Sequence, residues 1–149
     1  MQTQPVMLVE DNDFDRGLTC FVFDQEHVLN DVVLSRNGEE AVDYLFGDGD
    51  SAESGLLPAL VILDLNMPGI GGIDVLKRIR ADQRTSRVPV VVFTSSDDAG
   101  DRAASFAEGA TDFIIKSGSH RKFADAVRKM VAEWLTVNCS KSKRGDDAD

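Results

Sequence analysis

The stretch Ala59–Gly72, ALVILDLNMPGIGG, opens on an uninterrupted apolar run, Ala59 to Leu63, and then places a carboxylate, Asp64. Asn66, Pro68, Gly69, Gly71 and Gly72 follow at once. A short apolar run rich in branched residues and bounded by turn residues reads as a strand buried on both faces. The charge at its end then needs a reason, because the interior does not tolerate an unpaired carboxylate.

Working outward, four more segments resemble this one: Pro5–Glu10 (PVMLVE), Asp31–Asn37 (DVVLSRN), Val88–Ser96 (VPVVVFTSS) and Thr111–Ser117 (TDFIIKS). Between them the apolar residues change period. Phe14, Leu18, Phe21 and Val22 fall at helical spacing within Asp13–Glu26. Asn37 followed by Glu40 reads as a capping box opening the helix GEEAVDYLF. Ile73, Val75, Leu76 and Ile79 give a helical face after the glycine turn, Asp97–Ala110 reads as a helix with Gly109 as its cap, and Phe123 to Trp134 carries a long amphipathic stripe. Gly47–Pro58 is a polar loop, long for a helix-to-strand link.

Strands and helices alternate five times, which predicts an α/β domain: a five-stranded parallel sheet flanked by five helices, placed on both faces by right-handed crossovers. The domain is expected over residues 1–137, with 138–149 a polar, disordered tail. The formal charge of −10 argues against direct nucleic-acid binding, which needs basic patches. Cys20 and Cys139 make no disulfide framework, and the absence of a leader or a membrane-length apolar run predicts a cytoplasmic chain.

Open α/β sheets bind their ligands outside the carboxyl ends of the strands. Glu10 and Asp11 end the first run, Asp64 the third, Thr94 and Ser95 the fourth and Lys116 the fifth. Taken singly, Asp11 reads as a helix cap, Thr94 as a strand-end residue and Lys116 as a surface lysine. Together they put three carboxylates, a hydroxyl and an ammonium on one edge. Carboxylates crowded together repel one another unless a cation intervenes, and Mg²⁺ takes a few protein oxygens together with waters and phosphate oxygens.

The set VEDN, LDLNMPG, VVFTSS and FIIKS closely resembles the receiver domain of two-component response regulators, and the resemblance covers roughly nine-tenths of the chain. It implies a flavodoxin-like, doubly wound sheet of strand order 2-1-3-4-5. Asp64 would then accept a phosphoryl group from a sensor histidine kinase. Mg²⁺ would be held by Glu10, Asp11, Asp64 and the backbone carbonyl of Asn66. Lys116 would pair with the phosphoryl group, Thr94 would hydrogen-bond it, and Phe113 would stand where the family places an aromatic switch residue. Little chain remains for an output domain after the receiver, so the resemblance is to stand-alone regulators that signal by a changed surface. The long Gly47–Pro58 loop and KSGSH after the last strand resemble the regulators paired with phytochrome-type histidine kinases.

Other readings compete, among them a chemotaxis-like motor regulator. A phosphorelay intermediate would use the same acceptor. A Mg²⁺-dependent phosphatase with an aspartyl nucleophile would want an acid where Asn66 stands. A flavin module would want a small-residue phosphate loop where EDNDFD stands. His27 and His120 read as surface residues. The stripe ending at Trp134 is expected to outrun what one sheet covers and to support a homodimer. The Lys116–Ser117 bond, which in the family usually precedes a proline, is expected to be trans, with Gly118 absorbing the turn.

Overall fold

Each segment becomes a strand a little shorter than itself. The computed structural model describes residues 4–47, 57–116 and 118–137. The strands are β1 (Val6–Val9), β2 (Val32–Ser35), β3 (Leu60–Leu63), β4 (Val90–Thr94) and β5 (Asp112–Ile115). All pair in parallel, in the order β2-β1-β3-β4-β5, the flavodoxin-like order expected. The helices are α1 (Asp13–Gln25), α2 (Gly38–Phe46), α3 (Gly72–Ala81), α4 (Ala99–Ala107) and α5 (His120–Trp134).

Successive side chains of a strand point to opposite faces, and the core divides accordingly. Val6, Leu8, Leu60, Ile62, Val91 and Phe93 meet Val22 and Phe23 of α1 and Phe123, Val127, Met130 and Val131 of α5. Met7, Val9, Val61, Leu63 and Val90 meet Ala41 and Leu45 of α2 and Val75, Leu76 and Ile79 of α3. The three inner strands are buried throughout. The two edge strands are not: Val32, Leu34 and Ile115 remain exposed, because an edge strand has a sheet neighbour on one side only.

Helix ends follow local chemistry. The Asn37 side chain accepts from the Glu40 N–H at 2.8 Å, and Glu40 reaches back to the Arg36 N–H, one residue beyond the usual capping box. α4 is shorter than expected at both ends. Asp98 caps its start, and Gly109 (φ 99°) lets the chain turn beyond it. In α1 the helical spacing is right but the face is not. Thr19, Val22 and Phe23 are buried, whereas Phe14 and Phe21 are more than half exposed. Phe14 lies against His120, with ring centroids 5.2 Å apart.

The stripe on α5 is also corrected. Phe123, Val127, Met130 and Val131 are buried inside the domain and Trp134 packs onto the same cluster, so the stripe does not outrun the sheet. After α5 the chain crosses back over the α1–β2 link, where Val137 bridges Val28 and Leu29 donates to Thr136. The expected tail 138–149 with Cys139, most of the Gly47–Pro58 loop and the Lys116–Ser117 bond lie outside the described residues.

Two glycines answer part of the question raised by the turn after β3. Gly69 has φ 76°, a conformation that costs other residues more. A Cβ on Gly72 would collide with the Asp64 carbonyl oxygen and lie 2.7 Å from the Leu65 Cα, so α3 begins tight against the strand end.

One tertiary clasp carried no sequence signal. Arg80 of α3 donates to the carbonyls of Val88 (2.7 Å), Gly109 (2.9 Å) and Ser86 (3.2 Å), tying α3 to the starts of β4 and β5. Arg80→Ala leaves these acceptors without the guanidinium, and each charged hydrogen bond contributes about 1.5–3 kcal/mol. Allowing for water at a partly exposed site, we expect a loss of about 2–4 kcal/mol in urea unfolding; a loss below about 1 kcal/mol, the size of an exposed ion pair, would contradict the clasp.

Candidate functional site

Backbone hydrogen bonds carry three ladders one residue past their strands. The N–H of Glu10 donates to Ser35 (2.9 Å), that of Asp64 to Val9 (3.1 Å) and that of Lys116 to Thr94 (2.7 Å). Three ionisable residues are therefore held in the frame of the sheet at its carboxyl edge, rather than on free loops. Glu10 and Asp64 are buried, and the Lys116 side chain is only 7% exposed.

The Lys116 ammonium is the hub. Its Nζ lies 2.6 Å from Glu10 Oε1, 2.9 Å from Asp15 Oδ2 and 3.4 Å from Asp64 Oδ2. The other oxygen of Glu10 accepts from the Asn12 N–H at 3.1 Å, and the other oxygen of Asp64 accepts from the Asn66 N–H at 3.4 Å. Both Asp64 contacts are long, beyond the usual range for a charged hydrogen bond. Asp64 is thus the less encumbered of the two buried carboxylates.

Burial pushes Glu10 up to about 7 and the negative charge of Asp64 adds to this, against the pull of Lys116. For Lys116, burial alone would lower the value; hydrogen bonds to Glu10 and Asp15 and the charge of Asp64 outweigh it and lift it to about 12. The two shifts describe one imbalance. A single ammonium collects the attraction of three carboxylates, and each carboxylate receives only a share of it.

That imbalance is what a cation would relieve. Glu10, Asp11 and Asp64 each offer an oxygen, all within 4.8 Å of one another, two from buried side chains and one from an exposed one. An all-oxygen, carboxylate-rich donor set fits a hard divalent cation.

The sequence-derived residues fall into two groups. Glu10, Asp11, Asp64 and Lys116 come together, and Asn66 sits beside Asp64 with its side chain exposed. Thr94 and Phe113 stand on β4 and β5, both buried. The Thr94 hydroxyl accepts from the Ser96 N–H at 3.3 Å. Phe113 packs with Leu65 and Val92 and lies under the Arg102 guanidinium, 5.6 Å from the ring centre. Asp15 was missed. Its only signal is its place in the first turn of α1, where the Asn12 cap accepts its N–H at 2.9 Å and so directs that turn toward the sheet edge.

The site lies along the carboxyl edge of the sheet. A groove of about 450 Å³ along α3, lined by Ile70, Asp74, Lys77, Arg78 and Ala81, includes none of these residues. Such an edge suits a reactive group presented by another macromolecule. Among the described residues no helix is long and apolar enough to cross a membrane.

Five parallel strands in this order, with paired acids, a strand-end aspartate and a strand-end lysine at the carboxyl edge, define a receiver architecture. The sequence profile described as the response regulator receiver domain matches residues 6–128, and the chain belongs to that family. Among its relatives is the response regulator Rcp1 of Synechocystis sp., 30% identical over 87% of this chain and 88% of that protein. The probable methanogenesis regulatory protein FilR2 of Methanothrix harundinacea is also 30% identical, over 91% of this chain and 86% of its own. The crystal structure of the Mn²⁺-bound form of Rcp1 has a TM-score of 0.83 and covers 91% of this chain and 98% of that one. The phosphorylated cyanobacterial phytochrome response regulator RcpA gives 0.82 at 33% identity, covering 88% and 93%. The resemblance read from the motifs therefore holds, and this chain is a two-component receiver.

The raised Glu10 value sets a pH dependence. The folded protein holds that proton more tightly than the unfolded chain. Its contribution therefore favours the fold below about 4.5 and is lost as pH rises through about 7. Glu10→Gln stays neutral throughout. In EDTA its stability should match the wild type near pH 4.5 and exceed it near pH 7 by up to about 3 kcal/mol, at about 1.4 kcal/mol per pKa unit. Urea unfolding at the two pH values measures this; a wild type that gains on the variant over that window contradicts it.

Proposed function

We propose that this receiver accepts a phosphoryl group on Asp64 from the phosphohistidine of a sensor histidine kinase, in a reaction that needs Mg²⁺. The observation that carries the reading is the Lys116 ammonium standing 3.4 Å from a buried, loosely held Asp64 carboxylate at the carboxyl edge of the sheet. An oxygen of Asp64 attacks phosphorus as the N–P bond of the donor breaks. The imidazole leaves with the electron pair and takes up a proton from water. Lys116 compensates the charge arriving at Asp64, and the rigid strand end holds the nucleophile in place.

Glu10, Asp11, Asp64 and the backbone carbonyl of Asn66 would hold the Mg²⁺. When bound, it supplies neutralisation of the phosphoryl oxygens. Thr94, at the end of β4, would turn its hydroxyl from Ser96 to a phosphoryl oxygen. Phe113, on the neighbouring strand β5 and under the Arg102 guanidinium of α4, would report that change at the surface. Asn66 offers an amide where a phosphatase would need an acid, which speaks for a signalling protein that acts only on its own acceptor. The likeness to RcpA supports a phytochrome-type kinase as the partner.

Incubation with acetyl phosphate and Mg²⁺ should give a phosphoryl adduct stable to acid and labile to base, lost in EDTA. Asp64→Asn should give none, because an amide is a poor nucleophile. Labelling of that variant at the wild-type rate would refute the assignment.

A further inference from the structure

We infer that Asp15 is a positioning residue for Lys116: it competes with the phosphoryl group for the ammonium and so weakens the hold of the site on that group. The inference rests on the reading of Asp64 as phosphoacceptor. Of the three carboxylates around Lys116 Nζ, Asp15 is the one outside the cation-binding set. Its contact, at 2.9 Å, is shorter than that of Asp64 at 3.4 Å, so the ammonium sits on the Glu10–Asp15 side of the site.

To serve a phosphoryl oxygen on Asp64, the ammonium must shift its partners in that direction. Glu10, at 2.6 Å and buried, anchors the lysine without help from Asp15. Removing the Asp15 charge therefore leaves Lys116 placed and takes away one competitor. The backbone of Asp15 does separate work: its N–H caps onto Asn12 and its carbonyl accepts from the Thr19 hydroxyl at 2.8 Å. Asp15→Asn keeps both bonds, so the helix start survives the change. Asp13, in the same turn, supplies a matched control. It carries the same charge but is 91% exposed and pairs with Arg16.

The test is titration with beryllofluoride, a phosphoryl mimic, in saturating Mg²⁺. Asp15→Asn should bind roughly five-fold tighter than the wild type, the upper range for an ion pair that is partly exposed. Asp13→Asn should change little, and Asp15→Glu should return toward wild type. A merely structural role would not move the second readout, the side-chain ammonium resonance of Lys116. In free Asp15→Asn it should already lie displaced toward the position that the wild type reaches only with beryllofluoride bound. Equal effects of Asp15→Asn and Asp13→Asn, or weaker binding by Asp15→Asn, overturn the inference while wild-type binding keeps the phosphoacceptor reading intact. If the wild type itself does not bind beryllofluoride, the phosphoacceptor reading fails and this inference falls with it.

Discussion

The rest of the site depends on one ammonium group shared among carboxylates. Lys116 is the one side-chain cation hydrogen-bonded to the carboxylates of this edge among the described residues, and it satisfies Glu10, Asp15 and Asp64 together. Without it, burying Glu10 and Asp64 side by side would leave uncompensated charge, and the strand ends would be pushed apart or protonated. With it, the cluster is held but still short of positive charge. That residual deficit is what a divalent cation beside Glu10, Asp11 and Asp64 would relieve.

The sheet makes this arrangement inexpensive. Glu10, Asp64 and Lys116 each follow directly on a strand whose ladder continues through their own backbone N–H. Two-sided burial of the inner strands fixes the register, since a slip by one residue would exchange the two core faces. The apolar core therefore sets where the charges stand, and the close approach of α3 at Gly72 to the backbone of Asp64 adds a second constraint on that residue. The parts of the site are strand ends, gathered along one edge of the sheet.

Much of this was legible in the residues. Continuous apolar runs mark the inner strands, and the residues that follow the runs place Glu10, Asp11, Asp64 and Lys116 at one edge. What escaped has a common cause. Helical spacing shows that a segment such as Asp13–Glu26 is a helix, but a helix with two apolar stripes does not say which stripe faces the sheet, and here Phe14 and Phe21 face outward. The α5 stripe looked too long for one sheet because Val22 and Phe23 of α1, which share its cluster, were not counted against it. Asp15 reaches Lys116 across 101 positions and Arg80 reaches Gly109 across 29. Both contacts depend on the direction of a helix turn in space, which periodicity does not encode.

The account places the reacting atom on one carboxylate among several that lie within a few ångströms. The most direct measurement is to phosphorylate the protein with acetyl phosphate and Mg²⁺, reduce the acyl phosphate with borohydride, and locate the resulting homoserine by peptide mass spectrometry. The account predicts homoserine at position 64 and an unmodified residue at positions 10, 11 and 15. Reduction products at Glu10, Asp11 or Asp15 with Asp64 intact would contradict it.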